Sequence, residues 1–191
     1  MDRPAYTFWR CDAPWGDYGK ILVHGMTNRL GRRGERLQLE RAGPQVPSIT
    51  LPGIHDLIVT DAVRAHLARF PGLEFRNVDK ARIVRLDWHL WDLSAGDPPL
   101  CPASGEPEDY ILERDHDPAC ADEIGALWEL VPAIIPAIQM PGGLFNRSAW
   151  NGEPFVCPDE SGGRGFLSAS LAEALEALDP EWVMFVEAVE A

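Results

Sequence analysis

Four cysteines and five histidines carry most of the metal-binding and nucleophilic chemistry open to this 191-residue chain, and their spacing limits what they can do. Cys101, His116 and Cys120 come nearest to a ligand set, but Cys157 is distant and no C-x-x-C pair is present. These thiols, with Cys11, read as small reduced side chains rather than as zinc ligands or a disulfide framework, so no metal is expected. His24, His55, His66, His89 and His116 stand in no G-x-S-x-G elbow or triad context. Thirty Asp and Glu residues offer too many carboxylate pairs for any one to be singled out as an acid–base couple. The "GGRG" of 162–165 precedes an apolar strand rather than a helix, which is the context of a turn and not of a phosphate loop. No cofactor is therefore expected. The enzyme reading that survives is a small hydrolase-type protein with an acidic cleft for a cationic or neutral substrate and His89 or His116 as its acid–base residue.

Charge says more than motif. Residues 1–86 hold 14 Lys and Arg against 9 Asp and Glu, whereas 87–191 hold 3 against 21, a local net charge of −18 within an overall −13. A surface so acidic repels nucleic acid and anionic membrane and speeds encounter with a basic protein. The four arginines around the "NRLGRRG" turn, Arg29, Arg32, Arg33 and Arg36, are expected to be solvated or paired with that acidic half. The opening "MDRPAYTFWR" lacks the apolar run of a secretory signal, and "ALWELVPAIIPAIQM" is too short and too interrupted to span a bilayer. A cytoplasmic protein is expected.

The elements that would position any site show a repeat. "IVTDAVRAHLARF" and "FLSASLAEALEAL" each run from two apolar residues through a hydroxyl, Thr60 or Ser168, into an apolar series at helical spacing: Val63, Leu67, Phe70 and Leu171, Leu175, Leu178. The hydroxyls suit helix N-caps, and turn signals at Pro71–Gly72 and Asp179–Pro180 lead into the extended segments "LEFRNV" and "WVMFVEAV". The spacing predicts strand, helix, strand, used twice. Elsewhere "GKILVHG", "ERLQLER", "DYILER" and a long central "ARIVRLDWHLWDL" read as strands, with a helix from about Asp122 to Leu130. The expected fold is α+β: one twisted, mostly antiparallel sheet with a few helices on one side. A single domain over 1–191 is expected, with possible sub-halves 1–93 and 108–191 joined by the Pro/Gly/Ser-rich loop 94–107.

This order of segments, closing on "GLFNRSAWNGEPFVCP" and "FLSASLAEALEALDPEWVMFVEAV", resembles the small immunity proteins of bacterial polymorphic-toxin systems, especially the double-CxxCG family and its relatives without the cysteine motifs. Leu144, Phe145, Leu167, Ser168, Leu171, Leu175, Val183 and Phe185 carry the match, and "CPASG" has the outline of one cysteine motif with Ser104 in place of the second Cys. The resemblance implies an antitoxin that binds a cognate toxin domain, here a basic one, by direct contact. Such an interface needs aromatic or arginine anchors within a polar rim. The candidates are Trp128, Arg147 and Trp150 as anchors, with Glu106, Glu108, Asp109, Asp115, Asp117, Asp122 and Glu123 as the charged rim. A regulatory interaction module with a different partner is the remaining class.

Overall fold

The computed structural model describes residues 5–8, 13–28, 36–53, 55–159 and 163–191. The first half of the chain gives β1 (Ala5–Phe8), α1 (Asp17–His24), β2 (Met26–Asn28), β3 (Gln38–Gly43), β4 (Ile49–Thr50), β5 (Leu57–Thr60), α2 (Asp61–Leu67), β6 (Glu74–Asn77) and β7 (Asp79–Arg85). The second half adds α3 (Asp109–Leu112), α4 (Pro118–Ile124), β8 (Leu127–Val131), β9 (Ala133–Ile134), β10 (Gln139–Met140), β11 (Leu144–Phe145), β12 (Phe155–Cys157), β13 (Phe166–Ser168), α5 (Ala169–Leu178) and β14 (Phe185–Glu187). The fold is α+β. Its strands pair mostly antiparallel, but they divide among several sheets rather than joining the single sheet that the alternating segments predict.

The repeat is structural. In the four-stranded sheet, of order β4-β5-β8-β6, both β5 and β6 run antiparallel to β8. In the five-stranded sheet, of order β14-β1-β13-β12-β9, both β13 and β14 run antiparallel to β1. Each unit is thus a strand, a helix and a parallel strand, with one foreign strand inserted between the two. An antiparallel neighbour lies on the outer side of each first strand, β4 on β5 and β12 on β13. The register agrees as well: Trp128 opposes Val59, one residue before Thr60, and Tyr6 opposes Leu167, one residue before Ser168.

Both helices turn their apolar faces into one shared core. Val63 and Leu67 of α2 meet Leu171, Ala172 and Leu175 of α5, along with Leu57, Val59 and Leu130 from one sheet and Phe155, Leu167 and Phe185 from the other. Side chains buried to this degree contribute about 1.5–3 kcal/mol each, so this joint cluster is the main cement between the units. The helix starts differ. Ser168 Oγ accepts a hydrogen bond from the Leu171 amide at 3.3 Å, whereas Thr60, also extended, makes no side-chain cap. The inserted strands also interleave the chain: β8 comes from the second half to complete the first unit, and β1 comes from the start to complete the second.

Several local expectations change. "GKILVHG" is not a strand but most of α1, which buries Leu22, Val23 and His24 and ends at Gly25, whose φ of 72° suits glycine. "DYILER" forms the short α3 in place of a strand. The helix expected from Asp122 starts earlier, at Pro118, and stops at Gly125 (φ 74°), after which Leu127–Val131 is strand. β7 ends at Arg85 and lies at the edge of a three-stranded sheet, β2-β3-β7, and Trp88–Leu90 coils into a 3-10 turn. The "NRLGRRG" turn and Gly162 of "GGRG" lie outside the described residues, except for Asn28 in β2; Arg36, which is described, pairs with Asp79 at 3.2 Å.

Candidate functional site

The residues proposed from sequence fall into separate neighbourhoods. Asp117 caps α4 by accepting from the Cys120 amide at 2.9 Å, and the same carboxylate accepts from Arg85 Nε at 3.1 Å. Glu123 takes both Arg85 terminal nitrogens, at 2.5 and 3.3 Å, so these two acids are joined to a cation of the protein's own. The Cys120 amide and the Arg85 guanidinium hold the Asp117 carboxyl below its ordinary range. Asp115 and Asp122 are exposed on either side.

Trp128 lies on the helix side of β8. Its indole N–H donates to Asp61 at 2.9 Å, and the Arg64 guanidinium stacks 3.7 Å from its ring centroid while bonding Asp61 at 3.2 Å. Arg147 and Trp150 sit elsewhere. The guanidinium is 4.8 Å from the Trp150 ring, whose N–H donates to the Glu153 carbonyl and whose edge meets Phe145. Trp128 packs against the core shared by the two units and Trp150 against a different cluster, around Phe145 and Phe166, so the three proposed anchors do not form one surface.

Glu106, Glu108 and Asp109 belong to a more organised feature. The segment from Trp88 to Leu112 wraps over α1 and is fastened by aromatic side chains: Trp15 Nε1 donates to the Ala95 carbonyl at 2.8 Å, Tyr18 Oη to Gly105 at 2.7 Å, and Tyr110 Oη to Leu100. Burial raises the Tyr110 phenol to about 12, which keeps it a donor at neutral pH. The rings also meet one another, Trp15 with Trp91 at 5.9 Å, Trp91 with Tyr110 at 6.2 Å and Tyr18 with Tyr110 at 6.0 Å. Beneath them Leu22, Val23, Ala42, Val84, Trp88 and Ile111 are buried. The Pro/Gly-rich loop is therefore a fixed platform, held by side chains rather than by a sheet.

Trp15 adopts φ 60°, the left-handed region that a bulky side chain enters only when its surroundings force it. Its indole bond to Ala95 and its ring contact with Trp91 are those constraints.

The platform is tipped with leucine and edged with acid. Leu90 is 74% exposed, Leu100 45% and Leu112 47%, large values for apolar side chains on three neighbouring, cross-tied segments. Residues 87–113 contain Asp87, Asp92, Asp97, Glu106, Glu108, Asp109 and Glu113 and no Lys or Arg. All but the half-buried Asp109 are exposed, and among the described residues none of the seven forms an ion pair. The Ser94 hydroxyl and amide hold Asp92 below its ordinary value, so it is charged at neutral pH. Sequence reasoning found the charge but missed the leucines, because Leu90 falls in phase with Val84, Leu86 and Trp88 on what reads as a buried strand face.

The remaining chemistry is dispersed. His89 is exposed beside Trp88, and His116 Nδ1 accepts the Ile83 amide at 2.9 Å, which ties its loop to β7. Cys101 is exposed, and Cys120 and Cys157 are buried as free thiols. Among the described residues no group of three or more His, Cys, Asp or Glu side chains is arranged to hold a metal ion, and no helix is long and apolar enough to cross a membrane. No protein-family model, curated protein or solved structure matches this chain with significance.

Proposed function

We propose that the protein is an immunity-type antitoxin, which binds a cognate bacterial toxin domain with a basic surface and neutralises it by direct contact. The observation that carries this reading is the platform of 87–113, where seven carboxylates, none of them in an ion pair among the described residues, share one aromatic-bedded segment with exposed Leu90, Leu100 and Leu112. Charge at the rim steers a basic partner, and apolar side chains at the centre supply the desolvated contact that a tight complex requires. The resemblance of the closing segments to polymorphic-toxin immunity proteins points the same way. Glu106, Glu108 and Asp109 keep the partner-binding role read from the sequence, joined by the leucines. Asp117 and Glu123 contribute chiefly by holding α4 to Arg85.

The test is co-expression with the product of the adjacent upstream gene, scored for survival and then for co-elution on a sizing column. Rescue with a stable complex supports neutralisation by binding. Rescue without a complex favours an enzyme that reverses the damage, and absence of rescue removes that gene product as the partner.

A further inference from the structure

Arg41 is fully buried in β3, and among the described residues no carboxylate lies within ion-pair distance of it. Its Nε donates to the Ala42 carbonyl at 3.0 Å and one terminal nitrogen donates to the Val23 carbonyl at 3.2 Å, while the other, Nη1, has no partner. A buried cation without a counter-ion is a costly arrangement that native interiors avoid.

Its neighbour His24 sharpens the pattern. The Leu51 amide donates to His24 Nδ1 at 3.4 Å, and burial together with Arg41 lowers the imidazole to about 3, so the ring is neutral. With Nδ1 occupied as an acceptor, the proton resides on Nε2, and that N–H is also without a partner. The Thr50 hydroxyl, one residue before Leu51, is a third buried group without one. Strand pairing sets Thr50 opposite Ile58, whose side chain packs with Leu39, and Arg41 lies two residues along β3 from Leu39. The three groups therefore border one layer, between the β2-β3-β7 sheet and the β4-β5-β8-β6 sheet. Leu51, Pro52 and Gly53, the stretch beside His24, are only half-buried.

Three unpartnered groups able to donate, one of them a charged guanidinium outside ion-pair distance of any carboxylate among the described residues, form the complement of a small anion that carries only acceptors. We infer that Arg41, His24 Nε2 and Thr50 form an internal site for a small oxyanion, a phosphate or a carboxylate group. Water alone satisfies the donors but leaves the Arg41 charge unbalanced; an oxyanion does both. This site is independent of the acidic platform and of the antitoxin reading.

The experiment measures the unfolding temperature of the full chain against increasing sodium phosphate and, separately, sodium acetate, with sodium chloride at matched ionic strength as the reference. The expected result is a saturable rise in Tm in one of the first two, which also tells a phosphate site from a carboxylate site, and a shift of the His24 Nε2–H and Arg41 side-chain NMR resonances over the same range. Arg41→Met removes the charge but keeps an apolar side chain of similar reach, and should abolish the saturable rise. Thr50→Val, nearly isosteric, should weaken the apparent affinity about tenfold and covers the case in which Arg41→Met does not fold. The inference is overturned if neither salt gives a saturable response beyond chloride, if Arg41→Met retains that response, or if Thr50→Val binds as tightly as the parent chain.

Discussion

Asp179, at the end of α5, accepts a hydrogen bond from the Ile49 amide of β4 at 3.1 Å, across 130 residues of sequence. The helix of the second unit thereby holds the outer strand of the first. Burial, the larger influence, raises the Asp179 carboxyl above its ordinary value of 3.8, against the hydrogen bonds from Ile49 and Ser48 that lower it. The folded state therefore binds this proton more tightly than the unfolded chain, and the group stabilises most below 3.8, with that contribution lost as pH rises through its raised value. Asp179→Asn, which keeps an acceptor and discards the charge, is expected to be at least as stable as the parent at pH 7, with the advantage vanishing in acid. Asp179→Ala leaves the Ile49 amide without its acceptor and should cost about 1–3 kcal/mol. Urea unfolding at pH 7 and pH 4 compares the three.

His24 gives the opposite slope. Its folded value of about 3 lies below the ordinary 6.5, first through burial and then through Arg41. The unfolded chain takes up the proton first, so the contribution of a neutral His24 is complete above 6.5 and is lost as pH falls toward 3, by up to about 1.4 kcal/mol per pH unit. His24→Gln, which does not titrate, should flatten the stability profile between pH 6.5 and 4.5. An unchanged profile would show that another group governs acid unfolding.

The two helix caps predict unequal costs for similar truncations. Ser168→Ala removes the hydrogen bond to the Leu171 amide and should destabilise by about 0.5–2 kcal/mol. Thr60→Ala removes a hydroxyl that makes no cap and should cost less. Equal losses in denaturant titrations would contradict the asymmetry between the units.

Leu90→Asp, Leu100→Asp and Leu112→Asp test the platform from its apolar side. Leu90→Asp should change stability by no more than about 0.5 kcal/mol, because most of the side chain is already in water, whereas Leu100→Asp and Leu112→Asp, at sites about half covered, should cost about 1 kcal/mol each. Each should weaken a toxin complex by more than about 1 kcal/mol if these leucines are anchors. Calorimetric titration reads the second quantity, and full-strength binding by all three would move the interface elsewhere.

Charge reversal separates steering from structure. Asp92→Lys with Glu108→Lys should slow association with a basic partner and reduce its dependence on salt, with the fold intact. Asp117→Lys should instead cost about 1 kcal/mol of stability through the lost cap on α4, before any effect on binding. Stopped-flow association at two ionic strengths, beside thermal unfolding, distinguishes these outcomes.

The duplicated scaffold was legible because Thr60, Val63 and Leu67 recur as Ser168, Leu171 and Leu175 at identical spacing, and the structure seats both sets in one core. The inserted strands were not legible. Leu127–Val131 carries Glu129 and follows helix-forming residues, so local preference extends the helix, and only Gly125 and pairing with both β5 and β6 make it a strand. α1 hides in the same way, since Ile21, Leu22 and Val23 favour a strand until the surrounding core claims Leu22 and Val23. Of the candidate site, the acidity was plain in the sequence. The clustering of Trp15, Trp91 and Tyr110 was not, because it joins positions 76 and 95 residues from Trp15.

The exchange of β1 and β8 constrains how the chain is made. As synthesis proceeds, the first unit waits for residues 127–131 before its sheet can close, and β1 waits for 166–187 before it has either neighbour. The first unit is unable to finish folding on the ribosome while 127–131 is untranslated, and the second, whose inserted strand is made first, is completed only when its own strands emerge at the end. Folding is accordingly late, dominated by contacts of high sequence separation and slow for a chain of this length. During that interval β1 and the β8-facing edge of β5 lack their partners and are open to pairing with other nascent chains.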